Sequence, residues 1–341
     1  MNLKEVISQN TTSAQKLDAQ VKKLLLKRSY TLVELSNKLN VAPRVIEDSV
    51  GRLKLQNHNI ALEPEGISIE KTPQPMERLV VNSRDFVLDG EWRKFGALGD
   101  THLASKYSRL DVLRCAYKIY EDEGITTVYH TGNIVDGECR FNKHDLLTRS
   151  GMAAQIEYLI NEYPEIKGIT TYFVVGDDHE GWWAQREGID VGKYIQAEAE
   201  KAGRNDLQYI GYMERDIELK AKHGSAPIRI MHSGGGSAYA VSYTTQKIVE
   251  SLQGGEKPRV LYVGHHHKFE HGYPREVHTV QTATTEDQTP FMRKNKIQAH
   301  VGVTINKFHQ ADTGEINRFS VEFIPWYDRE FYFKGEKYRR W

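Results

Sequence analysis

Five short runs in this chain set aspartate, asparagine or histidine beside glycine. They read Gly99-Asp100-Thr101-His102, Gly132-Asn133-Ile134-Val135-Asp136-Gly137, Gly176-Asp177-Asp178-His179-Glu180, His232-Ser233-Gly234-Gly235-Gly236 and Gly264-His265-His266-His267. A carboxylate oxygen is a hard donor and an imidazole nitrogen a borderline one, so Asp100 with His102 makes a half-site suited to a divalent transition metal. On an extended backbone residues two apart point to the same side, which lets Asp100 and His102 converge. The same rule sends His265 and His267 to one side and His266 to the other, which excludes His266 as a ligand. Glycine at each run allows the sharp bend that would aim these side chains at one centre.

Each run stands where a strand is expected to end. Phe95–Leu98 is followed by a helical pattern over Ser108–Glu123, and Thr127–His130 by one over Asp145–Glu162. Thr171–Val175 precedes Gly192–Ala202, Ile228–His232 precedes Tyr239–Leu252, and Val260–Val263 leads into a strand-rich end. Strand and helix in alternation predict a layered α/β domain with parallel pairs. In such sheets ligands bind where the C-terminal ends of the strands open into loops.

The order of the five runs over Phe95–Trp326 resembles the calcineurin-like metallophosphoesterases, whose motifs are DxH, GDxxD, GNH(D/E), a lone His and GHxH. That superfamily includes phosphoprotein phosphatases, cyclic-nucleotide phosphodiesterases and nuclease subunits of DNA double-strand-break repair complexes. The resemblance implies a two-layered β-sandwich flanked by helices and two divalent metal ions, with manganese expected and iron, zinc or nickel as alternatives. By position, Asp100, His102 and His267 would hold one ion, Asp178, His232 and His265 the other, and residue 133 would bridge them. His179 takes the place of the histidine that acts on the leaving oxygen or steadies the phosphate. Two cations about 4 Å apart can clamp a phosphate and lower the pKa of a shared water toward about 7. The chain departs from the pattern twice. Asn133 replaces the bridging Asp, and Gly176–Glu180 has one residue more than the motif, so Asp177 competes with Asp178 as the ligand. If Asp178 is the match, an Asp-to-Asn and an Asn-to-Asp exchange cancel in charge.

Other residues carry weaker signals. His130 is expected to pack at a strand end. Trp182 and Trp183 could stack on a base or fill core, and Gly234–Gly236 could offer N–H groups to a phosphate or form a plain turn. Arg140, Asn142 and His144 could line the substrate cleft or a solvated loop. The Arg293–Lys296 run and the basic tail Lys334–Arg340 read as solvated surface that could touch a polyanion.

The N-terminal quarter follows another pattern. Residues 1–15 read as a disordered lead-in. Leu17, Val21, Leu24 and Leu25 then keep one helical face, Thr31–Leu39 opens with capping-box spacing at Thr31 and Glu34, and Pro43–Leu55 buries Val45, Ile46, Val50 and Leu53. Asn59–Leu62 and Ile67–Glu70 flank a Pro-Glu-Gly turn as a hairpin. Three helices and a hairpin over residues 16–71 resemble a winged helix-turn-helix domain, whose third helix would present Arg44, Arg52 and Lys54 to DNA. Winged helices also serve as dimerisation or docking modules, so a homodimer is an open alternative. Residues 72–92, with their prolines, read as a linker, and 93–341 as the phosphoesterase domain.

In bulk, 341 residues suit two domains, and the 46 basic and 46 acidic residues cancel. No global field therefore draws the chain to nucleic acid or membrane, although a local basic face is not excluded. No run approaches the roughly 18 apolar residues of a membrane span, and the first ten residues lack a signal-peptide core, so cytoplasm is expected. Cys115 and Cys139 form no CxxC and no disulfide framework. The reading that follows is a metal-dependent phosphodiesterase or nuclease brought to DNA by its winged helix. The alternatives are a DNA-binding or scaffolding protein with a decayed metal site, and a phosphoprotein or small-molecule phosphatase docked by the same domain.

Overall fold

In the computed structural model, which describes residues 3–71, 79–81, 90, 92–138, 146–236 and 238–326, helix α1 spans Leu3–Leu25. Residues 3–15, expected to be disordered, thus continue the first helix. No glycine or proline interrupts Leu3–Leu25, and extending a helix that is already nucleated costs far less than starting one. Helix α2 (Leu32–Leu39) opens on the capping box: Glu34 N donates to Thr31 Oγ1 at 3.2 Å and Thr31 N to Glu34 Oε2 at 2.8 Å. Helix α3 (Pro43–Leu55) starts on proline, which has no amide proton to leave unpaired. Strands β1 (Ile60–Glu63) and β2 (Gly66–Ile69) form an antiparallel hairpin, and Tyr30 exchanges backbone hydrogen bonds with Ile67 beside it. Val21, Leu25, Leu35, Ile46, Val50, Leu53, Ile67 and Ile69 form the core of this part.

The rest of the chain runs β3 (Leu79–Val81), β4 (Trp92–Leu98), α4 (Leu110–Asp122), β5 (Thr127–His130), α5 (Met152–Glu162), β6 (Thr170–Val175), α6 (Trp182–Glu187), α7 (Val191–Lys201) and β7 (Leu207–Tyr212). It continues with β8 (Glu214–Lys220), β9 (Ser225–His232), α8 (Tyr243–Ser251), β10 (Val260–Gly264), β11 (Glu270–Gly272), β12 (His278–Gln281), α9 (Pro290–Lys294), β13 (Gly302–Gln310) and β14 (Ile316–Pro325). Helices α5 and α8 begin later than the apolar spacing predicts. Gly151, at φ +88°, stands immediately before α5, and the glycine-rich stretch after β9 delays α8.

Two units divide the chain: Met1–Gln74 with Gly181–Tyr194, and Pro75–Glu180 with Ile195–Trp341. The expected single boundary between residues 71 and 93 therefore misses a second segment of the first unit. Backbone pairing explains it, since Asn59 N donates to Gly188 O at 3.1 Å and Asp190 N to Asn57 O at 3.1 Å. Lys22 adds an ion pair to Glu187 at 3.2 Å. Of the 72–92 linker, residues 72–78, 82–89 and 91 lie outside the described residues, and 79–81 form β3.

In the second unit two six-stranded sheets face each other, ordered β14-β13-β4-β5-β6-β7 and β11-β12-β10-β9-β8-β3. The pairs β4–β5, β5–β6, β6–β7, β9–β10 and β10–β12 are parallel, so their C-terminal ends open together. Along β9 burial alternates residue by residue, as one face of a sandwich requires, and Ile228 and Ile230 point inward with Ile217 and Leu219 of β8. Phe95 on β4 meets the ring of Tyr262 on β10 edge-on at 5.5 Å, which joins the two sheets across the core. Each such aromatic pair is worth about 0.5–1.5 kcal/mol beyond its buried area. The architecture is the α/β sandwich with helices that the sequence motifs imply. Among the described residues no helix is long and apolar enough to cross a membrane.

Candidate metal centre

Every run singled out in the sequence follows or ends a strand on the same side of the sandwich. Asp100 and His102 follow β4, Asn133 follows β5, Asp178 and His179 follow β6, His232 ends β9, and His265 and His267 follow β10. Their convergence does not come from extended backbone. Asp100, His102, Asn133, His265 and His267 have φ of +50°, +43°, +51°, +89° and +56°. Non-glycine residues rarely adopt this left-handed region, and each costs about 1–3 kcal/mol unless its surroundings over-determine it. Here they do. Asp100 N donates to Gly132 O at 2.9 Å, His102 N to Asn133 O at 3.0 Å, and His265 N to Asp100 Oδ2 at 2.9 Å.

Among the described residues three groups of metal-binding type result, one of them His102 with Asp136 and His179, and the other two match the ligand sets read from the sequence. In one, His102 Nε2 lies 3.1 Å from His267 Nε2 and 4.0 Å from Asp100 Oδ1, and His267 Nε2 lies 3.7 Å from Asp100 Oδ1. In the other, Asp178 Oδ1 lies 3.6 Å from His232 Nε2 and Asp178 Oδ2 3.2 Å from His265 Nδ1. Donors held about 2.1 Å from one ion at tetrahedral or octahedral angles stand about 3–4 Å apart. Asp177 lines the cavity but belongs to neither cluster, and it is Asp178 that meets His232 and His265. Asn133 Oδ1 sits beside the second cluster. A Cβ placed on Gly176 would stand 2.4 Å from Asn133 Oδ1 and 2.9 Å from His232 Nε2, so only glycine leaves these two atoms room.

Hydrogen bonds fix which nitrogen of each imidazole faces inward. His102 Nδ1 donates to Asp136 Oδ1 at 2.9 Å, His232 Nδ1 to Thr131 O at 2.8 Å and His265 Nε2 to Gly235 O at 2.8 Å. The opposite nitrogen of each ring is left with its lone pair toward the cluster, as metal-bound histidines require. Asn133 Oδ1, Asp178 Oδ1, His232 Nε2 and His265 Nδ1 are buried without a hydrogen-bond partner. Leaving one such group bare costs about 1–3 kcal/mol, so four gathered at one place fit a cation that would bind them all. This donor set suits the two divalent ions that the motifs imply.

The electrostatics agree with an anionic cluster. Burial would lower the His232 pKa, but Asp178, Asp100 and Glu180 override it and push it up to about 9. Asp178 is opposed by burial, yet His232 and His265 hold its carboxyl far below the usual range. Burial lowers His267, with help from the neighbouring imidazoles of His102 and His265. Burial raises Glu286 to about 7 against the pull of His102.

His179 Nδ1 donates to the Asp136 carbonyl at 2.8 Å, and its ring stands edge-on to His102 at 4.4 Å. Asp136 thus anchors both His102 and His179, and burial acting on its carboxyl is outweighed by the side-chain bond to His102 and by His179 Nδ1, 3.5 Å from Oδ1, which bring its pKa to about 2. No role was expected for Asp136, although it occupies the last position of the GDxxD pattern. Glu180 fills the acidic place of the third motif: it is buried, and its Oε1 accepts from Gly176 N at 2.9 Å. Glu286 accepts from Ser105 Oγ at 2.7 Å and stands 3.9 Å from His102 Nε2. No motif points to it.

His266, excluded as a ligand, meets Ser233 Oγ at 3.1 Å and joins neither cluster, but the backbone reason was wrong, since both its neighbours are left-handed. His130 packs as expected. Its Nδ1 accepts from Gly132 N at 3.1 Å, its Nε2 reaches Thr101 Oγ1 at 3.1 Å, and burial drives its pKa down to about 3. Trp182 begins α6 in the first unit and does not line the cavity, whereas Trp183 is buried. Arg140, Asn142 and His144 lie outside the described residues, as do Cys139 and the tail Lys334–Arg340. On α3, Arg44 and Lys54 are exposed. Arg52 instead gives Nε and Nη2 to Asp18 at 2.9 and 2.7 Å, so its expected DNA contact competes with an internal pair.

No family's sequence profile matches the chain, and no curated protein does. Its fold is similar to that of an archaeal protein characterised as a novel phosphodiesterase, at 13% identity over 68% of this chain and 99% of that one, with a TM-score of 0.34. It is similar as well to zinc-complexed Vps29 of Entamoeba histolytica, at 13% identity over 68% and 98% of the two chains, with a TM-score of 0.32. A third is the hypothetical protein PH1004 of Pyrococcus horikoshii OT3, at 14% identity over 70% and 90%, with a TM-score of 0.38.

Proposed function

We propose that this chain hydrolyses phosphate esters, with Asp100, His102 and His267 holding one divalent ion, Asp178, His232 and His265 the other, and Asn133 Oδ1 between them. The observation that carries the reading is the gathering of Asn133 Oδ1, Asp178 Oδ1, His232 Nε2 and His265 Nδ1, all buried and without hydrogen bonds. Two such ions would supply positive charge to the phosphate oxygens and acidify a water toward pKa 7 or so. Asp136 orients His102 through Nδ1 and His179 through its carbonyl. With Nδ1 so bound, His179 would turn Nε2 to the leaving oxygen as proton donor. Gly176 keeps the approach to Asn133 and His232 clear.

The finer reading is a phosphodiesterase that acts on nucleic acid, with the three helices and hairpin of the first unit as a winged-helix module for DNA. Purified protein with Mn²⁺, Zn²⁺ or Ni²⁺ is assayed on bis-p-nitrophenyl phosphate, single-stranded DNA, duplex DNA and a phosphopeptide. Metal-dependent cleavage of the diester and of DNA is expected. Cleavage of the phosphopeptide alone would replace the nuclease with a phosphatase, and no cleavage with two bound metals would end the enzymatic reading.

A further inference from the structure

The cavity above the two clusters encloses about 460 Å³, within the range of sites that bury a small organic ligand. One side is His102, Asn133, Asp178, His179 and His265; the other is apolar, built from Tyr107, Leu146, Phe291, Met292 and Ile297. A bare phosphate would occupy only the first of these sides. Three of its members come from one segment, residues 289–297, and that segment is held in shape. Met292 N donates to Thr289 Oγ1 at 3.2 Å, Pro290 opens α9, Ile297 N donates to Met292 O at 2.9 Å, and Gln288 Nε2 donates to Ile297 O at 2.6 Å. Phe291 lines the cavity while 43% of its surface stays exposed, as a stacking platform at a mouth should be. The same segment carries Arg293, Lys294 and Lys296, all exposed, and none is in an ion pair with another described residue.

An aromatic face beside a row of cations is what a single nucleic-acid strand binds, because bases stack on the ring and phosphates follow the charges. We infer that residues 289–297 form a single-strand-binding wall, with an unpaired base on Phe291 next to the scissile phosphate and the adjoining phosphates on Arg293, Lys294 and Lys296. This rests on the hydrolytic reading of the cavity for its orientation. A duplex cannot offer a base to Phe291 without unpairing it, so the wall selects unpaired ends or loops. A phosphotyrosine could fill the ring site but has no use for the three cations.

Binding of fluorescent oligo-dT to the full chain with Mn²⁺ is measured by anisotropy against salt, for the wild type, Phe291→Ala, Phe291→Tyr and the triple change Arg293→Ala, Lys294→Ala, Lys296→Ala. Phe291→Ala is expected to weaken binding about tenfold to a hundredfold, and Phe291→Tyr to restore it. The triple variant is expected to reduce the salt slope by about 2, at roughly 0.7 per lost phosphate contact. Hydrolysis of a thymidine dinucleotide is compared with that of the same molecule lacking one base. The wild type should prefer the complete dinucleotide, and Phe291→Ala should lose that preference. Unchanged oligo-dT affinity and slope in both variants, equal rates with and without the base, or a phosphotyrosine peptide preferred to the dinucleotide would each overturn the wall. If bis-p-nitrophenyl phosphate is not cleaved at all, the hydrolytic reading falls, and the binding series still decides this one.

Discussion

At the scale of single residues, chemistry and positioning separate cleanly. His179 lies outside the two clusters assigned to the ions, although with His102 and Asp136 it forms a third group of metal-binding type, and its Nδ1 donates to the Asp136 carbonyl. His179→Ala is therefore expected to lower turnover about 10²- to 10⁴-fold while both metals stay bound, read by metal analysis beside kinetics. Metal loss in that variant would make His179 a ligand. The rival carboxylates give a second comparison. Asp178 reaches His232 and His265, whereas Asp177 lines the cavity outside both clusters, so Asp178→Asn should release one metal and Asp177→Asn should keep two. Calorimetric titration of each variant with Mn²⁺ distinguishes them, and the reverse pattern would assign the ligand to Asp177.

Between residues and the molecule stand the strands, and there the sequence was informative in a particular way. Asp100, His102, Asn133, Asp178, His232, His265 and His267 were legible because each stands within three residues of a glycine at the end of an apolar run. Their backbone was not legible, because left-handed φ at five of these positions is imposed by bonds between runs that lie far apart in sequence, such as Asp100 N to Gly132 O. Asp136 was within reach as the last residue of GDxxD, but Glu286 arrives on a loop after β12 with no motif around it. Gly176 tests the strand-end geometry. A Cβ there would press on Asn133 Oδ1 and His232, so Gly176→Ala should cost about 1–3 kcal/mol and displace the second metal while the sandwich persists. Thermal unfolding and metal content together check it, and two retained metals would show that the approach is not needed. Helix α1 is tied to α3 by a different device. Asp18 accepts from Ser49 Oγ at 2.6 Å and from Arg52, and although burial opposes it, these bonds hold its carboxyl below the usual value. A lowered folded pKa contributes stability that is present above the unfolded value near 3.9 and lost as pH falls through the folded one. Asp18→Asn should destabilise the first unit by about 1–2 kcal/mol at pH 7, with the gap closing as pH falls below the unfolded value near 3.9 and through the lowered folded one. Urea midpoints followed from pH 7 down through that range measure this, and a gap that does not depend on pH would assign the effect to packing.

For the molecule as a whole, the interrupted first unit changes how recruitment can be tested. Removing residues 1–74 would strand Gly181–Tyr194, whose Gly188 and Asp190 pair with Asn59 and Asn57, so a truncated chain would expose that segment as well as lose the helices. Point changes on α3 avoid this. Arg52 is unsuitable because its guanidinium supports Asp18, and its loss would confuse folding with binding. Arg44 and Lys54 are exposed and, among the described residues, in no ion pair of that kind, so their removal should leave the first unit folded. If α3 lies against duplex DNA, each cation that meets a phosphate contributes about 0.9 to the slope of log affinity against log salt. Arg44→Ala with Lys54→Ala should then lower that slope by about 2 and weaken duplex binding at every sequence alike, since phosphate contacts carry no base information. Duplex affinity measured from about 50 to 200 mM salt tests this, with the oligo-dT series on Phe291 as an independent reference. A slope and affinity equal to the wild type would remove DNA recruitment from α3 and leave docking or dimerisation as the work of the first unit.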